Sequence, residues 1–231
     1  MAIWESNLGQ IYYFYCMGED TADIYEVRAI TDGTVKDGFW KSLPILTDFK
    51  QPWNSGFIQK TAFKACHDKD WLYLNYRVED SSVHVQKISG HKLEVVHGDR
   101  VEIFFKTDAL LKTYYCLEVD PDGRILDYTA AFYRKFDYEW SWPEGHLSAK
   151  AGRTDSGYWV ELKVSLKSLQ DLDILKNGAI GAGIYRGDCR NLGHFPVNES
   201  EFVWITWVDP MTEEPDFHVP SSFGRLKLLG L

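Results

Sequence analysis

Two alternating runs, TYYCLEV (113–119) and RILDYTA (124–130), flank Asp120-Pro121-Asp122-Gly123. A period of two marks a strand with one buried face, and Pro at the second turn position with Gly at the fourth suits a type I turn. The stretch is a hairpin, and the pattern recurs along the chain. WLYLNYRVED (71–80) sets Leu72, Leu74, Tyr76 and Val78 on one face after the turn-prone HDKD at 67–70. RVEIFFK (100–106), GYWVELKVSL (157–166), IGAGIYRGD (180–188), FVWITWVD (202–209) and FGRLKLL (223–229) read the same way. Long helical periodicity is missing. The one helix expected is SLKSLQDLDIL, short and capped by Ser165. Strands of about 6–9 residues separated by turns predict an all-β chain, an antiparallel two-sheet β-sandwich with at most two short helices. Met211 to Ser222 has no pattern and holds two prolines, Pro215 and Pro220, so it is expected to be a rim loop. Residues 1–231 are expected to form a single domain.

Several function classes drop out on composition. A net charge of −9 with no Lys/Arg cluster leaves no basic face for a phosphate backbone, so nucleic acid is not an expected partner. No apolar stretch approaches the roughly 18 residues that span a bilayer. The N-terminal MAIWESNLGQIYYFYC has no basic segment followed by an apolar run, so no signal peptide is expected. A secreted or periplasmic location would need a leader already removed, and the location is otherwise cytoplasmic. Cys16, Cys66, Cys116 and Cys189 are scattered without a CxxC pair and read as buried free thiols. What stands out is the aromatic load of 9 Trp, 13 Tyr and 13 Phe. It fits strands and supplies flat apolar surfaces for ligands.

The familiar catalytic signatures are missing: no GxSxG elbow, no GxxxxGK[ST] loop and no HExxH. His91 and His97 flank a predicted strand start without a third zinc ligand, and Cys66-His67 lies in a turn as a buried thiol beside an exposed imidazole. One constellation remains, in HGDRVEIFF (97–105). Val101, Ile103 and Phe105 form the core-facing row, which leaves Arg100, Glu102 and Phe104 on the other face. If Leu117 and Val119 share the core with Val101 and Ile103, Glu102 and Glu118 point to one side of one sheet. Such carboxylates can be a glycosidase acid and base, acceptors for sugar hydroxyls, calcium ligands or ion-pair partners of Arg100 and Arg77. Acidic residues also gather near strand ends (Glu79, Asp80, Asp120, Asp122 and Asp209), where a structural Ca²⁺ is a candidate cofactor. Trp140 and Trp142 in YEWSWPEGH, and Trp53 in KQPWNSG, are loop tryptophans suited either to a ligand platform or to plugging a sandwich end. Trp207 reads as core or rim packing.

The order GDRVEIFF, YYCLEVDPDGRILDY, GYWVELKVSLKSL, IGAGIYRGD, WITWVDP and PDFHVPSSFGRLKL resembles carbohydrate-binding module family 9. Upstream, DGFWKSLP resembles its D-x-x-W opening and KDWLYLNYRVEDSS its strand ending in aspartate, so the likeness spans roughly residues 30–229. The resemblance implies a two-sheet sandwich related to the DOMON class of sugar- and haem-binding domains. It also implies a saccharide ligand, with a glycoside hydrolase as a candidate partner. It gives Glu102 the role of the glutamate that hydrogen-bonds the sugar. Of the two tryptophans that clamp the sugar in that family, the first would fall near Val96 or His97 and the second near Phe217. A family arginine appears here as Glu118, and a loop asparagine aligns near Thr212. The expected ligand site is therefore Glu102 with Arg100 and Glu118, walled by Phe217 and His218, with Trp140 and Trp142 as further rings. A non-catalytic carbohydrate-binding module leads. A glycoside-processing enzyme using Glu102 with Glu118 or Asp120 is the alternative, and a haem-binding DOMON-type domain the second alternative.

Overall fold

The computed structural model describes residues 3–5, 11–13, 23–30, 39–193 and 195–231. Cys16, His194, Met1, Met17 and Asp37 of the D-x-x-W opening lie outside them. The strands are β1 (Ile3–Glu5), β2 (Ile11–Tyr13), β3 (Ile24–Ala29), β4 (Thr61–His67), β5 (Trp71–Glu79), β6 (Arg100–Lys106), β7 (Tyr114–Val119) and β8 (Ile125–Ala131). They continue with β9 (Lys135–Asp137), β10 (Leu147–Thr154), β11 (Gly157–Ser165), β12 (Leu175–Lys176), β13 (Ala179–Cys189), β14 (Phe202–Thr206) and β15 (Gly224–Leu228). Two short helical segments accompany them: α1 (Leu166–Asp171) and the 3-10 segment Lys92–His97, beside briefer 3-10 turns. The helix begins where expected, with Ser165 Oγ accepting from the N–H of Ser168 at 3.0 Å.

The chain is mostly β, but not a pair of separate antiparallel sheets. β1 and β2 pair with each other, and the other strands form one curled sheet in the order β10-β11-β5-β4-β3-β15-β13-β6-β7-β8-β9, with β12 and β14 also on β13. The departure from the expected sandwich lies at β3, which runs parallel to β15 on one side and to β4 on the other. Two sandwich layers would each leave an unpaired edge there, and β3 pairs with both, so the layers become one sheet. IYEVRA was not among the expected strands, and it buries only Tyr25 and Val27.

Alternation then divides the side chains into two cores. Val101, Ile103, Phe105, Leu117 and Val119 enter the main core with Leu72, Leu74, Tyr76 and Val78 of β5 and Val160, Leu162 and Val164 of β11. The opposite parity of β6 and β7 is buried as well. Phe104, Tyr114 and Cys116 pack with Tyr128, Tyr185, Phe217 and Phe223 in a second, aromatic core. The 211–222 segment, expected as a rim loop, lies over this face and buries Phe217 against Tyr185, ring on ring at 4.2 Å. The DPDG turn closes as expected, with the N–H of Gly123 donating to Asp120 O at 2.9 Å.

Candidate functional site

Within the second core lies the polar group that the sequence singled out. Glu102 and Glu118 are direct cross-strand partners on β6 and β7. Like charges placed so repel, and Arg100, two residues before Glu102, relieves this. Its Nε donates to Glu118 Oε2 at 2.7 Å and lies 3.0 Å from Glu102 Oε1. Its Nη1 donates to the carbonyls of Val96 and Gly98. Tyr128 donates from its hydroxyl to Glu118 Oε1 at 2.9 Å. Because Arg100 Nε is aimed at Glu118, Glu102 Oε1 has a charge contact but no hydrogen-bond partner. An orphaned carboxylate oxygen 2% exposed is costly. Burial, then Glu118, push the Glu102 carboxyl up to about 8 against the pull of Arg100.

Rings enclose this group. The Arg100 guanidinium sits 5.1 Å from the ring centres of both Phe202 and Trp204. Trp204 meets Phe217 edge-on at 5.7 Å, and Tyr138 lies 5.0 Å from Tyr128. His97, Trp204 and Tyr138 keep partial exposure and form the rim. Phe217 and His218 stand beside Phe104, with His218 stacked on it at 5.0 Å. The ring of His218 shares a hydrogen bond with the Tyr114 hydroxyl, and burial pushes its pKa down to about 3.

Arg100, Glu102, Glu118, Phe217 and His218 are thus brought together. Trp140 and Trp142 are not. Trp142 is in the main core, on the face opposite Glu102, against Phe105 and Tyr115, with Nε1 donating to Ser168 Oγ at 3.1 Å. Trp140 packs on Tyr115 at 5.1 Å. Both therefore serve the main core, to which Trp207 also belongs. Trp53 donates from Nε1 to Thr212 O and touches Phe217, which pins the covering loop. Sequence reading passed over Trp204, Phe202, Tyr128 and Tyr138. Trp204 had a usable signal, since in FVWIT the residues 202 and 204 take the parity opposite to Ile205, a main-core residue.

The five acidic residues expected near strand ends do not form one cation site. Asp120 pairs with Arg124 at 2.7 Å, Asp122 with Lys87 and Arg153, and exposed Glu79 with Lys60. Asp209 caps the N–H of Met211. Only Asp80 belongs to a group with metal-ligand spacing among the described residues, together with Asp99 and Asp188, all three buried. Arg186 reaches into that group, 2.9 Å from Asp80 Oδ2 and 3.6 Å from Asp188 Oδ1, and supplies a balancing charge. The histidine and cysteine pairs carry no chemistry either. His91 caps the 3-10 segment that His97 ends, so no continuous strand joins them. Cys66 is buried and its thiol is pushed up to about 12. His67 is buried rather than exposed, its two ring nitrogens bonded to the Asp68 and Leu229 carbonyls. Cys66, Cys116 and Cys189 are free buried thiols.

Comparison with known proteins gives this geometry a context. Residues 30–231 match the family described as Carbohydrate family 9 binding domain-like. A search of the curated proteins returns no match. Among solved structures, a Bacteroides uniformis protein provisionally named as carbohydrate-binding superposes with a TM-score of 0.69 at 15% identity, covering 90% of this chain and 100% of its own. A carbohydrate-binding module family 9 from Caldicellulosiruptor kristjanssonii, in complex with glucose, gives 0.57 at 18% identity, covering 90% and 97%. The same source's complex with cellotriose gives 0.57 at 17%, covering 90% and 95%. At these identities the likeness is one of fold.

Proposed function

The chain belongs to the Carbohydrate family 9 binding domain-like family, and from that premise we propose that it is a non-catalytic carbohydrate-binding module, a single domain whose curled sheet works as the two layers of a sandwich. Its saccharide sits over Arg100 within the rim of His97, Trp204 and Tyr138. Arg100, Glu102 and Glu118 supply the polar contacts, and the Phe217-His218 loop is one wall. The observation that carries this reading is the hydrogen-bond-free Oε1 of Glu102 beneath that aromatic rim. A ligand hydroxyl reaching it would satisfy an oxygen that the protein leaves orphaned. The fold neighbours that hold glucose and cellotriose support the ligand class. A glycoside hydrolase remains the partner we infer for such a module.

Two observations weigh against the alternatives. Arg100 stands between Glu102 and Glu118, where a glycosidase pair needs the scissile bond and its water. For haem, Met211 is 83% exposed and His218 is engaged in a hydrogen bond with Tyr114, so the two do not form an axial pair. The proposal is tested by a glycan array followed by calorimetry on each hit. A neutral sugar bound about tenfold or more weakly by Glu102→Gln at pH 9 supports it. An array without a single hit overturns it.

A further inference from the structure

Two adjoining clefts of about 360 and 390 Å³ lie far along the sheet from Glu102, and Trp71 lines both of them. The first lies on the outer face of β5 and β11, and the second runs from Trp71 to His146 and the start of α1. Leu72, Leu74, Leu162 and Val164 point into the main core. Trp71, Tyr73 and Lys163 have the opposite parity, and Tyr73 and Lys163 are cross-strand partners. Beside Trp71, Asp70 and Lys69 line both clefts, and the second cleft adds His146 and Gln170. The volumes are in the range of small-ligand sites, about 300–1,000 Å³.

We infer that this surface is a second saccharide-binding site, which takes a neutral oligosaccharide laid across Trp71. The inference rests on the chain's being a saccharide binder, but not on the first site's being at Glu102. The platform is preorganised. Asp68 Oδ1 accepts from the Trp71 N–H at 2.7 Å and Oδ2 accepts from the Tyr73 hydroxyl at 2.8 Å. Trp71 and Tyr73 also pack with Trp40, Leu43 and Cys66 in a small apolar cluster of their own. The indole face has the electrostatics that a sugar needs. Lys163 Nζ lies 3.9 Å from its centre, and a ring face that attracts an ammonium also attracts the partly positive C–H face of a pyranose. The lysine stem is flexible, so its ammonium can swing aside and donate to ring hydroxyls. Around the platform, carboxylate acceptors alternate with ammonium and amide donors. Hydroxyls, which both donate and accept, match such a border. The first cleft sets Asp68 and Asp70 against Lys69 and Lys163, a balance of charge that suits a neutral ligand. Two clefts sharing one tryptophan fit a chain of at least two sugar units.

The test is calorimetry with cellotriose on the full chain, its Glu102→Gln and Trp71→Ala variants and their double variant. Indole N–H spectra of the wild type, with the Trp71 signal assigned from Trp71→Phe, guard against a Trp71→Ala chain that fails to fold. The inference predicts two cellotriose per wild-type chain, one of the two sites weakened about tenfold or more in Glu102→Gln at pH 9, the other lost in Trp71→Ala, both changes in the double variant, and a ligand-dependent shift of the Trp71 indole signal. Binding to Trp71→Ala that equals the wild type, with the Trp71 signal unmoved, overturns the second site and leaves the Glu102 reading standing. Binding lost only in Trp71→Ala keeps this site and removes the one at Glu102. A wild type that takes up no cellotriose overturns this inference and leaves the Glu102 reading to the glycan array.

Discussion

Glu102 is the residue on which the functional account turns, and its burial makes the account measurable. A charge-assisted bond to a ligand hydroxyl is worth about 1.5–3 kcal/mol, so Glu102→Gln is expected to weaken saccharide binding about tenfold or more. A hydroxyl donating to the carboxylate favours its charged form. Since that form sets in only near pH 8, the wild-type advantage grows as pH rises through that value and closes below it. Calorimetry at several pH values reads this. An equal affinity for both proteins at pH 9 would make Glu102 a partner of Arg100 alone. The stability consequence has the opposite sign. The folded chain keeps a proton that an unfolded glutamate, with a pKa of about 4.3, has already lost. Stability contributed by the protonated carboxyl is therefore full below about pH 4 and falls as pH rises toward 8. Melting temperatures across that range should decline more in the wild type than in Glu102→Gln, and parallel curves would contradict the assignment. Trp142 provides the contrast. Truncating a core ring costs about 3–5 kcal/mol, so Trp142→Ala should unfold at markedly lower urea and, where folded, bind sugar as the wild type does.

Among the elements, β13 carries a group of four buried charged residues with its neighbours. Arg186 on it is fully buried between Asp80 and Asp188, with Asp99 close by. Removing one partner from a buried ion pair costs about 3–5 kcal/mol, and Arg186→Met should show a loss of that size in urea unfolding. A loss under about 1 kcal/mol would mean that the carboxylates do not need it. Burial, then Asp80, push Asp99 up to about 7, so it too destabilises the fold as pH climbs toward neutrality. The strands that carry the site were legible because their alternation is unbroken: RVEIFFK and YYCLEV fell at β6 and β7, and the facing of Glu102 and Glu118 followed from parity. What parity could not show is that the second face is also buried. That cover comes from residues 211–222, a segment without periodicity, held where Trp53 bonds Thr212 and where Trp53 and Trp204 meet Phe217. Trp140 and Trp142 were ambiguous for the same reason. A loop tryptophan has no pattern to say whether it faces solvent or core. β3 buries only two of its six residues, and the 3-10 segment at 92–97 is too short to print a period.

At the scale of the molecule, strand order is what sequence cannot give. Every strand adjacent to its successor in the chain was within reach of a hairpin argument, whereas β3 between β15 and β4 joins both ends of the chain into one sheet. The net charge of −9 also acts at this scale. A neutral saccharide gains nothing from that field, so raising salt severalfold should leave affinity within about twofold. A steep loss with salt would point to a cationic partner instead. The central claim is that the sugar lies over Arg100 and Glu102, and a crystal structure of the chain with the tightest array hit tests it most directly. The account predicts a pyranose within hydrogen-bonding distance of the Glu102 carboxyl and the Arg100 guanidinium, bordered by Trp204 and the Phe217 loop. Sugar found only elsewhere, with Glu102 still sealed beneath its rings, would contradict it.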